Sequence, residues 1–346
     1  MKGNEAVAEG AIRAGCKGFF GYPITPSSEI AEYMARKYPK IGGIFLQAES
    51  ELAAINMVYG GAATGVRVMT ASSGPGISLK QEGISFIAEA ELPCLIVNIS
   101  RGGPGLGGIQ PAQSDYFQAT RGGGHGDYHI IVLAPASVQE MMDFAIDAFE
   151  LADKYRIPVM IMAEGTLGQM MEPVIPRKMV TEFVDKPWAT TGCRGRQPNI
   201  INTLHLTPES LEKRNIHLFS KYAEIKAKES RAETFLLDDA ELVVVAFGLM
   251  ARVVKKAIME VRRKGVKAGL IRPITLWPFP EEYIKRTIKT AKIFLSVEIN
   301  MGQMLEDIKL VVNGEVPVDF YGRIGVNPNP EEIAEQLLRV AEREGI

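Results

Sequence analysis

The sequence predicts an α/β protein with two parallel sheets, each in its own domain. Short apolar strand patterns alternate with helical patterns over residues 4–163, and the alternation returns from residue 240 after a stretch with scattered prolines. Strands separated by helices pair in parallel, and the helices cover both faces of the sheet. The length of 346 residues also fits two domains.

The first domain is predicted over residues 1–172. Its opening helix ends at Gly15, and an alanine-rich helix carries Gly60 and Gly61 near its end. We expect strands at 16–21, 43–47, 66–71, 92–99, 130–133 and 159–163, and helices at 4–14, 27–37, 50–63, 77–89 and 137–152. A long glycine-rich loop joins the fourth of these strands to the fifth.

The middle of the chain, residues 173–236, shows no sustained periodicity. It contains scattered prolines, the stretch TTGCRGRQPN and the charged run KYAEIKAKESRAE. Long irregular segments are usually linkers or arms that wrap a neighbouring domain, so we expect a linker here. Residues 237–346 are predicted to form a second, smaller α/β domain. Its strands are expected at 240–248, 266–273, 291–299 and 316–322, and its helices at 250–264, 281–291, 303–313 and 330–343.

Composition excludes several classes of function. The formal net charge of −2 and the lack of a basic run give no basis for nucleic-acid binding. No apolar run is long enough to cross a bilayer and no signal-peptide stretch precedes the first helical pattern, so we expect no membrane partner. The three cysteines, Cys16, Cys94 and Cys193, are far apart. An odd number of cysteines without a disulfide framework favours a reducing cytoplasm, and three cysteines exclude a four-cysteine iron–sulfur site on this chain alone.

One glycine-rich stretch imitates a dinucleotide-binding motif. Residues 103–108 satisfy G-x-G-x-x-G, follow a strand and precede Asp127 by about twenty residues. The motif requires a helix that opens on its last glycine, so that the helix N-terminus meets the pyrophosphate. Here Ile109-Gln110-Pro111 follows, and glycines continue to Gly126. An NAD(P)-dependent dehydrogenase is therefore only an alternative interpretation.

The turns after the strands carry the candidate functional residues, because ligands of open α/β sheets bind beyond the carboxyl ends of the strands. The turn Tyr22-Pro23-Ile24-Thr25-Pro26-Ser27-Ser28-Glu29 has the features of a helix start. We expect Thr25 as N-cap, Pro26 at the first helical position and Glu29 in the first turn. The free hydroxyls and the helix N-terminus also suit an anionic or carbonyl group.

Three more turns offer both a structural and a functional interpretation. Glu49 and Glu51 either stabilise the N-terminus of the alanine-rich helix or point into a pocket. The turn at 72–76, SSGPG, is either an ordinary loop or a bare surface for a flat ring. Arg101 closes a strand as a surface charge or as a bidentate carboxylate clamp. His125, alone in a loop, and Trp277, in the second domain, more often have structural roles.

Taken together and in order, these turns resemble one family: the α-type subunit of 2-oxoacid:ferredoxin oxidoreductases, which use thiamine diphosphate. The matching stretches are YPITPSSE (22–29), QAESELAAINMVYGGAATG (47–65), MTASSGPGISL (69–79), LPCLIVNISRGGPG (92–105), QSDYFQA (113–119), GGHGDY (123–128) and LIRPITLWPFP (270–280). The resemblance covers nearly the whole chain and is weakest over residues 172–236.

The resemblance implies a fold and a set of partners. It implies a thiamine diphosphate pyrimidine-binding-type domain, followed by a smaller domain like the C-terminal domain of transketolase. This chain would hold the aminopyrimidine of the cofactor, and a β-type partner subunit would supply the diphosphate site, Mg²⁺ and an iron–sulfur cluster site. A γ-type subunit, a δ-type iron–sulfur subunit, ferredoxin, a 2-oxo acid and coenzyme A complete the expected partners. The chain agrees, since it has no GDG-and-asparagine motif and no clustered cysteines.

The resemblance also assigns roles to individual residues. Glu51 occupies the position of the family's cofactor-activating glutamate, and Glu49 is the alternative if the match is shifted by two. Arg101 matches the arginine that binds the substrate carboxylate, and Thr25 matches its companion hydroxyl. Further contacts to the cofactor are expected from Tyr22, Pro23, Ile24, Ser73 and Gly74. No metal ligand is expected on this chain.

The implied activity is the coenzyme A-dependent oxidative decarboxylation of a 2-oxo acid, with electrons passed to ferredoxin. The stretch GGPGLGGIQPAQSDYFQA (102–119) is more similar to the branched-chain (2-oxoisovalerate) group than to the 2-oxoglutarate group. We therefore expect 3-methyl-2-oxobutanoate as substrate, with 2-oxoglutarate as the alternative. A non-catalytic scaffold subunit is the hypothesis from a different class.

Overall fold

The computed structural model describes residues 1–346 and contains twelve strands and twelve helices, numbered here along the chain. The strands are β1 (Gly18–Gly21), β2 (Ile44–Gln47), β3 (Val68–Ser72), β4 (Cys94–Ser100), β5 (Ile131–Leu133), β6 (Pro158–Glu164), β7 (Ala232–Phe235), β8 (Leu242–Val245), β9 (Ala268–Pro273), β10 (Thr275–Trp277), β11 (Ile293–Glu298) and β12 (Val318–Gly322). The helices are α1 (Gly3–Arg13), α2 (Ser28–Ile41), α3 (Glu51–Ala63), α4 (Pro75–Glu89), α5 (Tyr116–Thr120), α6 (Val138–Tyr155), α7 (Gly165–Gln169), α8 (Pro208–Glu229), α9 (Gly248–Arg263), α10 (Glu281–Thr287), α11 (Gln303–Val312) and α12 (Pro330–Glu344).

The larger sheet has seven strands in the order β10-β5-β6-β4-β3-β1-β2. Its six N-terminal strands pair in parallel, as the alternation predicts, and only β10 runs antiparallel to its neighbour β5. The central strands β4 and β6 are buried along their whole length. Continuous burial is typical of a parallel sheet that helices cover on both faces.

The smaller sheet has five strands in the order β12-β11-β8-β9-β7. Four of these strands are parallel, and β7 is an antiparallel edge strand. Helices α9 and α12 pack against each other over this sheet and bury a second hydrophobic core. No helix of the structure combines the length and the apolar character needed to cross a membrane.

The irregular structure expected for residues 173–236 is wrong over Pro208–Glu229, which form the long helix α8, and over Ala232–Phe235, which form the edge strand β7. The buried apolar side chains of α8 are few: Leu218, Tyr222 and Ile225. The helix is instead anchored by Glu91, which accepts hydrogen bonds from Arg214 Nη1 at 2.8 Å and Lys221 Nζ at 2.9 Å. A partner distant in the chain therefore fixes a helix whose own pattern is weak.

The charge on Glu91 is well stabilised. Burial alone would raise its pKa, but the ammonium of Lys221 and hydrogen bonds from Lys221, Arg214 and His217 outweigh burial and lower the pKa to about 2. The carboxylate thus stays ionised at neutral pH and holds α8 against the end of α4.

Gln113 and Glu164 join the second domain to the first. Gln113 Nε2 donates to Glu164 Oε1 and to the Phe247 carbonyl, the latter at 3.1 Å, and Gln113 Oε1 accepts from the Ile299 N–H at 3.0 Å. Glu164 also accepts from the Leu249 N–H at 3.2 Å, in the first turn of α9. Burial of Glu164 raises its pKa to about 7 although these hydrogen bonds oppose the rise. A buried carboxyl of the first domain thus meets a helix N-terminus of the second.

Candidate active site

Most candidate residues follow the carboxyl ends of β1, β2, β3 and β4, four neighbouring strands of the larger sheet. From β1 the chain passes through α2 to β2 on one side, and then through α3 to β3 on the other side. The strand order therefore reverses between β1 and β3. Such a switch point opens a crevice in which α/β proteins bind their ligands.

Arg101 brings two of the predicted turns together. Its Nη1 donates to the Thr25 carbonyl at 2.9 Å, and its Nη2 donates to the Leu106 carbonyl at 3.0 Å. A Cβ added at Gly74 would lie 3.3 Å from Arg101 Nε, so this turn is in contact as well. Arg101 Nε itself is buried without a partner. The structure thus places Thr25, Gly74 and Arg101 in one group.

Thr25 does not cap the helix that follows it, contrary to expectation. Helix α2 begins at Ser28, and Ser27 occupies the N-cap position without a side-chain cap. The Ser27 hydroxyl donates to the Ile24 carbonyl at 2.8 Å. Pro26 therefore lies in the turn, not in the helix. Because Thr25 is exposed and takes no part in capping, its side chain is accessible to a ligand.

Burial separates the two candidate glutamates. Glu51 is 6% exposed at the first position of α3, whereas Glu49 is exposed to solvent. Ser50 caps α3 and accepts from the Ala53 N–H at 3.1 Å. The Glu51 carboxyl lies against Gly76, where an added Cβ would be 2.6 Å from Glu51 Oε1. The absence of a side chain at position 76 is what admits the carboxyl to this place.

Several buried polar atoms around the ends of β3 and β4 have no hydrogen-bond partner. They are Ser72 Oγ, Ser73 Oγ, Asn98 Oδ1, Ser100 Oγ and Arg101 Nε. Buried polar atoms are normally paired, so a cluster of unpaired ones calls for a ligand or ordered water. The glycines of the SSGPG turn add no side chain to cover a flat ring. These unpaired donors and acceptors therefore fit a planar heterocycle that has donors and acceptors of its own.

The remaining residues singled out from the sequence differ in their exposure to solvent. Tyr22 and Pro23 are exposed and Ile24 is half-buried, all directly after β1. His125 is exposed. Trp277 stacks on His129 with ring centroids 4.7 Å apart, which confirms the packing role expected for it.

The glycine stretch 103–108 opens no helix. The chain stays irregular from Gly108 until α5 begins at Tyr116. The geometry that a dinucleotide fingerprint needs is therefore absent at this position.

Sequence reasoning missed two charged residues at the site. Asp115 accepts from Asn98 Nδ2 at 3.0 Å, and burial raises its pKa, with Asn98 among the opposing contacts. Lys80 is fully buried and donates to the Glu51 backbone carbonyl at 3.3 Å. The sequence alone contained one indication that Lys80 is unusual, namely its position among apolar residues. It lies three residues after Ile77 and four before Ile84, on the apolar face of its helix.

Comparison with known families gives the class of the protein. Residues 9–228 match the family described as pyruvate flavodoxin/ferredoxin oxidoreductase, thiamine diphosphate-binding. Residues 240–333 match the pyruvate:ferredoxin oxidoreductase core domain II. The first match alone covers more than half of the chain. The chain therefore belongs to the 2-oxoacid:ferredoxin oxidoreductase family and carries its thiamine diphosphate-binding domain.

Individual relatives refine this class. The ketoisovalerate oxidoreductase subunit VorB of Methanothermobacter marburgensis is 54% identical over 328 residues, which cover 94% of this chain and 93% of the relative. The 2-oxoglutarate synthase subunit KorA of Methanocaldococcus jannaschii is 39% identical over 363 residues, which cover 98% of each chain. Both relatives are named as subunits, so they belong to enzymes of several chains.

Solved structures confirm the predicted fold class. A 2-oxoglutarate:ferredoxin oxidoreductase from Magnetococcus marinus, with 2-oxoglutarate, coenzyme A and succinyl-CoA bound, matches with a TM-score of 0.84 at 30% identity. The match covers 99% of this chain and 65% of that one, so the neighbour is the longer chain. A split-gene transketolase, an inactive β4 tetramer, shares the fold with a TM-score of 0.63 at 13% identity over 98% of this chain and 97% of that one.

Proposed function

We propose that this chain is the α-type subunit of a coenzyme A-dependent 2-oxoacid:ferredoxin oxidoreductase. The complex would decarboxylate a 2-oxo acid oxidatively and pass the electrons to ferredoxin. One observation carries the proposal. A buried carboxyl, that of Glu51, lies against a bare glycine beside unpaired hydroxyls, within a thiamine diphosphate-binding domain.

The residues of this chain would hold the aminopyrimidine of the cofactor. Ser73, Gly74 and the segment 22–24 would contact its faces and edges, and Glu51 would hold a proton at its ring nitrogen N1′. The cofactor supplies the carbon nucleophile and the electron sink of the reaction. Because Glu51 is shielded from water, its carboxyl would be held for one fixed partner, the cofactor ring.

Arg101 and Thr25 would bind the substrate carboxylate. A guanidinium has five N–H donors, and two donate to backbone carbonyls in the structure, so the others, Nε–H among them, are free for a carboxylate. The Thr25 hydroxyl adds a neutral donor. Because the Thr25 carbonyl accepts from Arg101, the two groups keep a fixed relative position.

The substrate proposed is 3-methyl-2-oxobutanoate, an apolar branched-chain acid. Identity to the ketoisovalerate subunit is higher than to the 2-oxoglutarate subunit. The loop after Arg101 agrees, because it exposes Leu106 (79%) and Ile109 (61%) and has no lysine or arginine before Arg121. A second carboxylate would call for a second cation. 2-Oxoglutarate is the second candidate, on the basis of the KorA relative and the Magnetococcus marinus structure.

The partners proposed are a β-type subunit with the diphosphate and Mg²⁺ sites, and γ- and δ-type subunits, with iron–sulfur clusters outside this chain. Elements that carry candidate residues also expose apolar side chains to such a partner: Glu51 lies on α3 and Gly76 on α4. Large apolar side chains are exposed on β2, α3 and α4: Ile44, Leu46, Leu52, Leu79 and Phe86. Exposed apolar patches of this kind mark interfaces. The scattered free thiols suit a complex that works in a reducing cytoplasm.

The test compares Glu51→Gln with Glu49→Gln in the assembled complex. Dye reduction by a 2-oxo acid with coenzyme A should lose about 100-fold or more in kcat with Glu51→Gln, because the amide cannot exchange the proton. The exposed Glu49→Gln is the matched control and should retain wild-type kcat. Full activity of Glu51→Gln would refute the assignment.

Two further measurements separate the alternatives. Bound thiamine diphosphate in the purified complex supports the proposal, whereas a bound dinucleotide supports a dehydrogenase. A panel of 2-oxo acids then decides the substrate. A complex that reduces the dye with none of them, although its cofactor is bound, supports the scaffold hypothesis.

A further inference from the structure

Lys80 is the most unusual charged group of the first domain. It is 0% exposed and lies on the side of α4 that packs against α3. An ammonium has three N–H donors, but Lys80 makes one hydrogen bond, to the Glu51 backbone carbonyl. Burial of a charge with so few partners is unfavourable. Lys80 therefore needs an explanation other than stability.

The position of Lys80 beside the N-terminus of α3 makes burial of its charge still less favourable. The N-terminus of a helix carries a partial positive charge, and Lys80 places a cation at the first residue of α3. The other buried cations of the chain have direct carboxylate partners. Arg67 Nε lies 2.8 Å from Asp153, and Arg272 Nη1 lies 3.0 Å from Glu233. Lys80 has no such ion pair.

The two ends of Glu51 are held by one face of α4. Gly76 and Lys80 are four residues apart, so they are neighbours along the helix surface. The Glu51 carboxyl lies against Gly76, and its backbone carbonyl accepts from Lys80 Nζ. The hydrogen bond to the backbone leaves both carboxyl oxygens free for a ligand.

Electrostatics agree with this arrangement. Burial lowers the pKa of Lys80 to about 8, and the charge of Glu51 opposes that lowering. The ammonium is thus retained at neutral pH and balances the nearby carboxylate. Perturbed ionisable groups that persist in an unfavourable place cluster at functional sites.

We propose that Lys80 is a positioning residue, whose ammonium anchors the first turn of α3 and balances the charge of Glu51, so that the carboxyl points at the cofactor. The inference rests on the proposed role of Glu51 and adds a second residue to it.

The test is a double-mutant cycle in the assembled complex: wild type, Lys80→Met, Glu51→Gln and the double variant. Methionine keeps an unbranched stem without the charge. Lys80→Met should lower kcat by about 10- to 100-fold, because a misdirected carboxyl is costly, and should leave the KM for the 2-oxo acid unchanged. Glu82→Gln, an exposed charge change on the same helix, is the control and should retain wild-type kcat.

The affinity of the cofactor-free complex for thiamine diphosphate provides a readout other than activity. Lys80→Met should weaken binding by about 5-fold or more when Glu51 is present, and by less than about 2-fold when position 51 is glutamine. Equal weakening in both backgrounds would overturn the proposal, as would wild-type kcat and affinity in Lys80→Met. If Lys80→Met forms the complex only in combination with Glu51→Gln, the result supports the coupling between Lys80 and Glu51. If neither Lys80→Met nor the double variant forms the complex, the role of Lys80 is structural and the proposal is overturned.

The two proposals fail in different ways. Full activity of Glu51→Gln would refute the role of Glu51, whatever Lys80 does. An inactive Glu51→Gln combined with a fully active Lys80→Met would refute the positioning role alone.

Discussion

The buried carboxyl between the two domains should make the stability of this protein depend on pH. Glu164 is fully buried at the end of β6 and faces the first turn of α9. Its pKa is raised from 4.5 to about 7, chiefly by burial. At pH values between these two numbers the folded protein keeps a proton that the unfolded chain has lost. The contribution to stability is therefore complete below about pH 4.5 and is lost as the pH rises through about 7.

The expected magnitude follows from the pKa difference. A tenfold change in proton affinity corresponds to about 1.4 kcal/mol, so a rise from 4.5 to about 7 corresponds to about 3 kcal/mol of unfolding free energy. Glu164→Gln resembles the protonated form, because an amide is neutral and retains one acceptor oxygen for Gln113 and Leu249. Glu164→Gln should therefore not show the loss of unfolding free energy that the wild type shows as the pH rises through about 7.

Urea unfolding of the full chain at pH 5, 6, 7 and 8 provides the assay. The difference in unfolding free energy between wild type and Glu164→Gln should shift in favour of the variant by about 2.5 kcal/mol between pH 5 and 8, because a part of the total change is already complete at pH 5. Glu212→Gln, an exposed change on α8, should follow the wild-type profile. Parallel profiles for wild type and Glu164→Gln would refute the reasoning, because other carboxyls contribute equally to both proteins.

Two further predictions concern the substrate site and the long helix. Arg101→Ala should raise the KM for the 2-oxo acid about 10-fold or more in the assembled complex, because a charge-assisted contact to a carboxylate is lost; an unchanged KM would argue against the clamp. Glu91→Gln should lower the unfolding free energy at pH 7 by about 2 kcal/mol, because Arg214 and Lys221 lose their carboxylate, and should speed amide exchange in α8. Because the pKa of Glu91 is lowered to about 2, its contribution to stability is present above about pH 4.5 and is lost as the pH falls toward 2. The unfolding free energies of wild type and Glu91→Gln should therefore converge in acid. Unchanged amide exchange in α8 would contradict the role of Glu91 as the anchor of this helix.

Local pattern was enough for most of the secondary structure. Each strand predicted from the alternation is present, with ends that differ by a few residues. The three-residue strand β10 was missed, and it pairs with β5 of the larger sheet although the elements that follow it build the smaller one. A strand this short has no readable period, and its sheet is chosen by contacts with distant residues. The helix α8 was missed for a related reason, since its anchor at Glu91 is more than a hundred residues away.

The candidate site was predicted in part. The turns after β1, β2, β3 and β4 were identified because strand ends of a parallel sheet meet at one edge. Sequence could not choose between Glu49 and Glu51 by exposure, nor place Thr25 outside the helix cap, because the exact start of a helix depends on how the preceding turn packs.

The sequence by itself determined the class of fold, the order of its elements and the turns that carry the site, because hydrophobic period and turn residues are local properties of the chain. Only the tertiary structure decided which buried charges meet. Lys80 reaches Glu51 across two helices, and Glu164 reaches α9 across two domains. Burial and charge balance are set by neighbours that are close in space and distant in sequence, so no local pattern contains them.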